Sequence, residues 1–380
     1  MKCKILFSHN SLPEYRVGWF KKLSEKSDST FLITNSQVAN NIYGFVGDKS
    51  DLRCIDCKKG IYGYISLIKL LNNNCNYDFI ELPPIDSLNE YIYSKILLYF
   101  AKKRNIRTGY FWEKWESPKN YQPISRRIKN RILGFVAYNA YKDCDIIFST
   151  GIKNKEYFIR YGVPEYKIRM IPDSTEVPLC SFESIREKLH ISNNQIIILY
   201  FGRIIKQKGL DILIKALAEL DPKYRNNVSL IVAGDGPFKE YCESLVRDLR
   251  LSQVYFTGSI NPQARFNYFK QCDIFVHPGT FYKGRTDVWG LTLNEAIICD
   301  KTIISTNAVG SSYELIKFDN GLMVEAGNID SMKEGLLTVI RNIEYYKDRS
   351  IEIDREIKKV YSTDNMANEY LRFINELLRF

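Results

Sequence analysis

An α/β chain with two doubly wound parallel-sheet domains is predicted by three features of the sequence. Short apolar, β-prone runs recur along its 380 residues, segments long enough for helices separate them, and several runs end directly in glycine. Strands alternating with helices imply parallel sheets covered on both faces. One compact core is not expected at this length; two domains of roughly 150 to 200 residues each are. An apolar content of 45% is ordinary for a soluble globular protein and excludes disorder, collagen and coiled coil.

In the first half, Lys4 to Ser8 reads as a strand, followed by a polar loop and a helix from about Arg16 to Glu25. Strand-like runs recur at Thr30 to Thr34, Asp78 to Leu82, Arg107 to Trp112 and Asp145 to Ser149. The second half repeats the rhythm at Gln195 to Phe201, Val228 to Ala233, Gln253 to Thr257, Asp273 to His277 and Lys301 to Thr306. Gly202, Gly234 and Gly258 stand at the ends of three of these runs, as expected of βα loops that approach a ligand closely. Leu210, Leu213, Ile214, Leu217 and Leu220 recur at helical spacing, and Met366, Tyr370, Phe373, Ile374 and Leu377 make the last stretch an amphipathic helix. The expected boundaries are an N-terminal domain over 1–175, a linker over 176–194 carrying Pro178, a second domain over 195–362, and a helix over 363–380 that packs back on the first domain.

The net charge of +10 is unevenly spread. Residues 1–175 carry 28 basic and 17 acidic side chains, and the remainder 26 and 27, so the whole excess lies in the first half. Lys95 to Leu133 alone holds eleven basic groups against two acidic ones. Such a bias suggests an anionic partner: nucleic acid, an anionic membrane surface or a phosphorylated substrate.

Nine cysteines include one C-x-x-C pair, Cys54 and Cys57, with no second pair or nearby histidine to complete a zinc site. The odd count and the lack of a signal peptide point to a reducing cytosol. With only His9, His190 and His277 available, neither a histidine-built metal site nor a Ser-His-Asp triad is expected. No run approaches the roughly 18 apolar residues that cross a bilayer, so membrane contact would be peripheral.

Two segments carry the chemistry. In Tyr200-Phe-Gly-Arg-Ile-Ile-Lys-Gln-Lys-Gly209 the chain turns at Gly202, Arg203 can fork two hydrogen bonds onto phosphate oxygens, and Lys208 adds charge at the start of the next helix. The ten residues read equally well as a solvated basic loop. In Asp287-Val-Trp-Gly-Leu-Thr-Leu-Asn-Glu295 two carboxylates flank Gly290, which is expected to open a helix. Glu295 inside that helix suits two ribose hydroxyls, since an ionised acid accepts a hydrogen bond from each.

Taken with Gly234-Asp-Gly-Pro237, Phe256-Thr-Gly258, Asp273-Ile-Phe-Val276, Asn294-Glu-Ala296 and Asn320-Gly321, these segments make residues from about Ile196 to Ile340 resemble the family 4 retaining glycosyltransferases. In that family two Rossmann-like domains face a cleft in the GT-B fold. The resemblance implies that Arg203 and Lys208 hold the donor diphosphate, that Glu295 binds the donor ribose, and that Gly290, Leu291 and Thr292 offer backbone donors to phosphate. It adds Gly202, Gly234 and Gly258 to the donor side. Asp287 stands where the family has a glutamate, which keeps the charge and retracts the carboxylate by about one carbon–carbon bond. It is carried as catalytic with Arg203 and Lys208. Glu113 and Arg16 are the acceptor-side candidates, and Glu113 reads more readily as a salt-bridged surface glutamate. The implied reaction retains configuration at the sugar carbon and requires no metal or other cofactor, the nucleotide-diphosphate sugar being a co-substrate. The segment Asp143-Cys-Asp145 is read as structural.

In the basic half, Arg126, Arg127, Lys129 and Arg131 accompany Ile124, Ile128, Ile132, Val136 and Tyr141 spaced along one helical face. A basic amphipathic helix either lies on an anionic membrane or covers a core. Tyr99, Phe100, Tyr110, Phe111, Trp112 and Trp115 are read as interfacial aromatics favouring the membrane. No RRM, KH or zinc-finger signature is present, and nucleic acid is not expected as a partner. The reading is a cytoplasmic transferase on the inner face of the membrane, moving sugar to a lipid-linked saccharide in surface polysaccharide or glycolipid synthesis. The alternatives are a GT-B nucleotide-sugar epimerase and a catalytically inactive binding subunit.

Overall fold

The computed structural model describes residues 2–34, 50–58, 60–73, 76–85, 87–176, 183–261, 264–317 and 319–379. Residues 177–182 of the expected linker, Pro178 among them, lie outside the described residues. Contacts divide the chain into two units: Met1–Lys114, Ile128–Glu176 and Tyr361–Phe380 form the first, Trp115–Arg127 and Val177–Val360 the second.

The first unit is built on seven parallel strands: β1 (Lys4–His9), β2 (Asp28–Ile33), β3 (Cys54–Asp56), β4 (Phe79–Leu82), β5 (Arg107–Phe111), β6 (Ile146–Ser149) and β7 (Ile168–Met170). Their spatial order is β3-β2-β1-β4-β5-β6-β7. Side chains alternate faces along a strand, and β1 supplies both cores. Leu6 joins Leu67 and Leu71 of α2 (Ile61–Asn73), Tyr93 and Leu97 of α3 (Leu88–Arg104), Ala137 of α4 (Ile124–Tyr141) and Phe158 of α5 (Ile152–Arg160). Ile5 and Phe7 face the other way, toward Trp19 and Phe20 of α1 (Glu14–Lys26) and Met366, Tyr370 and Ile374 of the C-terminal helix (Thr363–Leu378).

Asp145, read as structural, accepts the Thr108 backbone N–H at 2.8 Å and pairs with Arg107 at 3.0 Å, fastening the start of β6 to the start of β5. The aromatics read as interfacial are mostly core: Phe100, Tyr110, Phe111 and Trp112 are all buried, and Tyr99 is exposed. Phe100, Tyr110 and Trp112 join one core and Phe111 the other, because both faces of the sheet are covered, which the clustering of aromatics in the sequence did not disclose.

For helix α4 the sequence leaves two readings open, a membrane face and a core cover. The first three residues of its apolar stripe, Ile124, Ile128 and Ile132, are exposed, as is Phe135, and only the far end at Tyr141 enters a core. The buried face is made of Asn130, Gly134, Ala137, Ala140 and Tyr141. A Cβ on Gly134 would lie 1.9 Å from the Tyr161 ring, so the helix approaches its neighbour through small residues and leaves the large ones outside.

In the second unit six parallel strands, β8 (Ile196–Phe201), β9 (Val228–Ala233), β10 (Val254–Gly258), β11 (Ile274–His277), β12 (Thr302–Thr306) and β13 (Gly321–Val324), follow the order β10-β9-β8-β11-β12-β13. The predicted helical spacing is seen in α6 (Leu210–Ala218), whose Leu210, Leu213, Ile214 and Leu217 pack on Ile198, Tyr200 and Leu230. Strand order reverses between β1 and β4 in one sheet and between β8 and β11 in the other. Doubly wound sheets bind ligands outside the carboxyl ends of their strands at such reversals.

The C-terminal helix is tied to the first sheet by one buried polar contact. The Tyr370 hydroxyl donates to Glu81 Oε2 at 2.8 Å in the middle of β4. Burial pushes the Glu81 carboxyl up to about 8, although the bonds from Tyr370 and the Phe111 backbone oppose the rise. Between its ordinary value near 4.5 and about 8 the native state therefore holds a proton that the unfolded chain has lost, and stability falls as pH rises through that window. Glu81→Gln keeps an acceptor for Tyr370 and cannot ionise. Its melting temperature should match the parent's near pH 5 and exceed it by several degrees near pH 8, by scanning calorimetry; parallel pH profiles would assign the titration elsewhere.

Candidate active site

At the carboxyl edge of the second sheet the strand-end glycines form a row. Gly202 takes φ 145° after β8, and a Cβ on Gly234 would lie 1.9 Å from the Gly202 carbonyl oxygen. Only glycine allows those two turns to meet. Gly202 N–H donates to Ala233 O at 3.0 Å and Gly234 N–H to Gly258 O at 2.8 Å, carrying the ladder past the strand ends.

The loop from Gly202 to Gly209 presents three cations with three different fates. Lys206 is structural: it binds the buried Asp211 at 2.6 Å. Lys208 reaches across the strand reversal and bonds to Asp287. Arg203 is exposed, with no hydrogen-bond or ion-pair partner for its guanidinium among the described residues. The charge left uncommitted at this edge is therefore the one nearest the glycine row.

Asp287 is held on a loop by its own backbone, its N–H donating to Ala308 O at 3.2 Å and its carbonyl accepting from Gly310 at 2.9 Å. Its Oδ2 also lies 2.8 Å from Nε2 of His277, the last residue of β11. Burial alone would raise the Asp287 carboxyl, but the Lys208 charge and the His277 bond overcome it and hold the group far below the usual carboxylate range. Burial and the Lys208 charge lower His277, against Asp287, so its imidazole is neutral at pH 7. With Asp287 able only to accept, the ring proton belongs on Nε2, and Nδ1 is left buried without a hydrogen-bond partner among the described residues.

His277 was not singled out by the sequence reading. The available signal was its position, a histidine closing a β-run just before Pro278 and hence at a strand's carboxyl end.

Gly290 takes φ 84° between Asp287 and the helix α9, which follows at Thr292–Ile298 after α7 (Lys239–Asp248) and α8 (Arg265–Gln271). Gly290 thus precedes the helix by two residues, with Leu291 as its cap and Thr292 as its first residue. The first-turn N–H groups of such a helix have no intrahelical acceptor. Glu295 lies inside α9, buried, with Oε1 at 3.2 Å from Arg265 Nη2. The two carboxylates of the motif are therefore held by different cations, Asp287 by Lys208 and Glu295 by Arg265.

The acceptor-side pair, Arg16 and Glu113, is brought together in the first unit beside the β1–β4 reversal. A hollow of about 170 Å³ is lined there by His9, Asn10, Tyr15, Arg16, Trp112 and Glu113. Arg16 is buried and bonds to Asp173 Oδ1 at 2.5 Å and to Glu113 Oε1. Burial would lower the Arg16 guanidinium, but Asp173 and Glu113 hold it above its ordinary value. His9 is pushed down to about 4 by burial and by the Arg16 charge, so it too is neutral at pH 7.

Of the basic residues on α4, Lys129 and Arg131 are exposed, and Arg127 donates to the carbonyls of Lys119 at 2.6 Å and Gln122 at 3.1 Å. Arg126 is half-buried and packs near Gly284. The segment Trp115–Arg127 joins the second unit through rings the sequence did not pair: Tyr121 lies 4.9 Å and Trp115 5.9 Å from Phe281.

Residues 181–353 match the family model described as glycosyl transferases group 1. An uncharacterized glycosyltransferase of Methanocaldococcus jannaschii is 26% identical over 240 residues, covering 61% of this chain and 60% of that protein. The matched stretch thus spans less than two thirds of that relative. An α-1,4-N-acetyl-D-galactosaminyltransferase of Campylobacter jejuni, named for a saccharide on PP-undecaprenol, is 26% identical over 66% of this chain and 65% of its own length. Among solved structures, the Anabaena protein HepE in complex with UDP superposes with TM-score 0.76 at 16% identity, covering 98% of this chain and all of that one, a likeness of fold. Two Rossmann-like parallel sheets and the likeness of fold make the architecture GT-B, and residues 181–353 match glycosyl transferases group 1.

Proposed function

We propose that the protein transfers a sugar, with retention of configuration, from a nucleotide-diphosphate donor to a lipid-linked saccharide acceptor. The observation that carries this is the uncommitted Arg203 guanidinium beside the glycine row, backed by the Lys208–Asp287–His277 cluster where β8 and β11 diverge. Two cations stand there against one carboxylate, since the histidine is neutral. The surplus positive charge suits a diphosphate, and fixed charge aimed at developing charge is usually the largest catalytic contribution.

In the transfer the bond from the sugar carbon to the donor phosphate oxygen breaks, and its electrons pass to the departing nucleoside diphosphate. Arg203 and Lys208 stabilise that charge. The acceptor hydroxyl oxygen bonds to the same sugar carbon on the face the phosphate leaves, and its proton goes to a donor phosphate oxygen. Glu295 accepts from ribose hydroxyls and Gly290, Leu291 and Thr292 offer backbone N–H groups to phosphate. Asp287 orients Lys208, and its carboxylate meets the transferred sugar. None of these steps calls on a metal. Glu113 and Arg16 serve the acceptor side. The Anabaena neighbour's UDP and the lipid-linked saccharide in the Campylobacter relative's name support the donor and acceptor classes.

No helix among the described residues is long and apolar enough to cross a membrane. Peripheral docking on the inner, anionic leaflet is proposed instead through α4. Its exposed Ile124, Ile128, Ile132 and Phe135 accompany Arg126, Arg127, Lys129 and Arg131, each basic residue near such a surface contributing on the order of 1 kcal/mol.

Calorimetric titration with UDP, GDP and dTDP, without added metal, should show saturable binding of one nucleotide; no heat with any of them would remove both the transferase and the epimerase readings. Arg203→Ala should lower kcat/KM by about 100-fold or more while leaving the melting temperature nearly unchanged, because the side chain is exposed. Lys208→Ala should lower it as much and also cost some stability by stranding Asp287, and full turnover in either variant would refute the diphosphate role. In vesicle sedimentation the protein should prefer anionic over neutral lipid, less so in high salt, and lose the preference when Arg126, Arg127, Lys129 and Arg131 are changed to Gln. Equal binding to both lipids would sink the docking reading.

A further inference from the structure

Helices α2 and α3 lie side by side on one face of the first sheet and leave a groove of about 530 Å³ between their outer surfaces. Its walls are apolar: Ile68 comes from α2, and Tyr91, Ile92, Ile96, Tyr99 and Phe100 from α3. The α3 residues recur with helical period along one stripe that ends at Lys103, a rise of about 18 Å at 1.5 Å per residue. The groove is therefore long and narrow, and its volume lies in the range that encloses one small ligand.

The charge in the groove has one sign. Lys95 and Lys103 line it, and no carboxylate does among the described residues. Lys95 lies along the wall, with Nζ donating to the Asn139 carbonyl at 2.8 Å and standing 5.6 Å above the Tyr91 ring. Burial disfavours its charged form. The one acid whose charge favours it, Asp143, is paired with Lys102 at 3.3 Å. Lys103 is exposed at the end of the stripe. An apolar channel about 18 Å long with ammonium groups on its wall and at its end complements a molecule with a long hydrocarbon chain and an anionic head.

The geometry points to a binding site for a single-chain amphiphile carrying a phosphate, its chain along Ile68, Ile92, Ile96 and Tyr99, past Lys95, and its phosphate at Lys103. The groove is too small for a helical peptide, whose diameter with side chains is about 10 Å, and an acidic amphipathic helix would have to lie on the rim. Neither the donor residues nor the α4 docking residues line it, so the site goes beyond the transfer reading and is tested by binding alone.

The test is isothermal titration of the full chain with hexyl, octyl and decyl phosphate, each below its micellar concentration. Binding should saturate at one molecule per chain and tighten about two- to fourfold per added methylene as the chain is buried. Inorganic phosphate should give no saturable heat, and uncharged decyl maltoside should bind at least about tenfold more weakly, the loss of one charge-assisted contact. Ile68→Glu and Tyr99→Glu change side chains that are already partly or largely exposed. Each should weaken decyl phosphate by about tenfold or more with the circular dichroism spectrum unchanged. Lys95→Gln with Lys103→Gln should erase the preference for phosphate over maltoside, and Lys129→Gln with Arg131→Gln should leave it intact. UDP titration of the same variants should match the parent, which separates a failed groove from a failed donor site. Heats that do not saturate, affinity independent of chain length, or undiminished binding in Ile68→Glu and Tyr99→Glu would overturn the proposal. So would saturable binding of an acidic amphipathic peptide that decyl phosphate does not displace.

Discussion

The pairing of Lys208 with Asp287 at the strand reversal of the second sheet is the constraint from which the donor side follows. A charge placed where β8 and β11 part loses much of its hydration, and it is tolerated only with an opposite charge and further hydrogen bonds around it. His277 supplies one of those bonds through Nε2, and the backbone of Ala308 and Gly310 fixes the loop on which Asp287 rides. On that loop Gly290 takes its positive φ two residues before α9 begins. Glu295 inside α9 pairs with Arg265, and Arg203 stands at the glycine row with no guanidinium partner among the described residues.

The first unit solves the corresponding problem with the opposite balance. Beside its own strand reversal one guanidinium, Arg16, is matched by two carboxylates, Asp173 and Glu113. Its neighbour His9 is neutral, so two carboxylates face one guanidinium there, whereas Lys208 and Arg203 stand near one carboxylate in the second unit. The same topology thus sets opposite local balances beside the two reversals, and the difference rests on few residues: Arg203, with no guanidinium partner among the described residues, on one side, and Glu113 beside the Arg16–Asp173 pair on the other.

What the sequence disclosed and what it hid divide along physical lines. Long β-prone runs and the leucine spacing of α6 were legible because period-two and period-3.6 patterns are local. The three-residue strands β3 and β7 were not found, since so few residues carry too little pattern to stand out from a loop, and β13 was missed although β4, β6 and β11 are equally short. Arg203, Lys208, Asp287 and Glu295 were legible as a set because their order and spacing form a motif. Which cation each carboxylate would meet was hidden, because Asp287–Lys208 and Arg16–Asp173 are pairs 79 and 157 residues apart that only the fold creates. The misreading of Tyr110, Phe111 and Trp112 has the same origin. Composition reports that a stretch is aromatic and basic, but not that both faces of the strand are covered, which buries Tyr110 and Trp112 in one core and Phe111 in the other.

The basic bias of the first half is not one patch. Between Lys95 and Leu133 the eleven cations are spent in separate ways. Arg107 fastens β5 to β6 through Asp145, Lys102 holds Asp143, and Arg127 caps carbonyls of the segment that joins the second unit. Lys95 and Lys103 line an apolar groove, and Lys129 and Arg131 stand among the exposed isoleucines of α4. Cations with carboxylate or carbonyl partners have their charge or hydrogen bonds satisfied within the fold. Lys103, Lys129 and Arg131 stand exposed beside hydrocarbon on α3 and α4. Nucleic acid would require such charges to follow a backbone of phosphates past stacking rings, but most of the rings here are buried. Charge set against hydrocarbon complements amphiphiles, and this is what the proposed docking helix and the groove on α3 have in common.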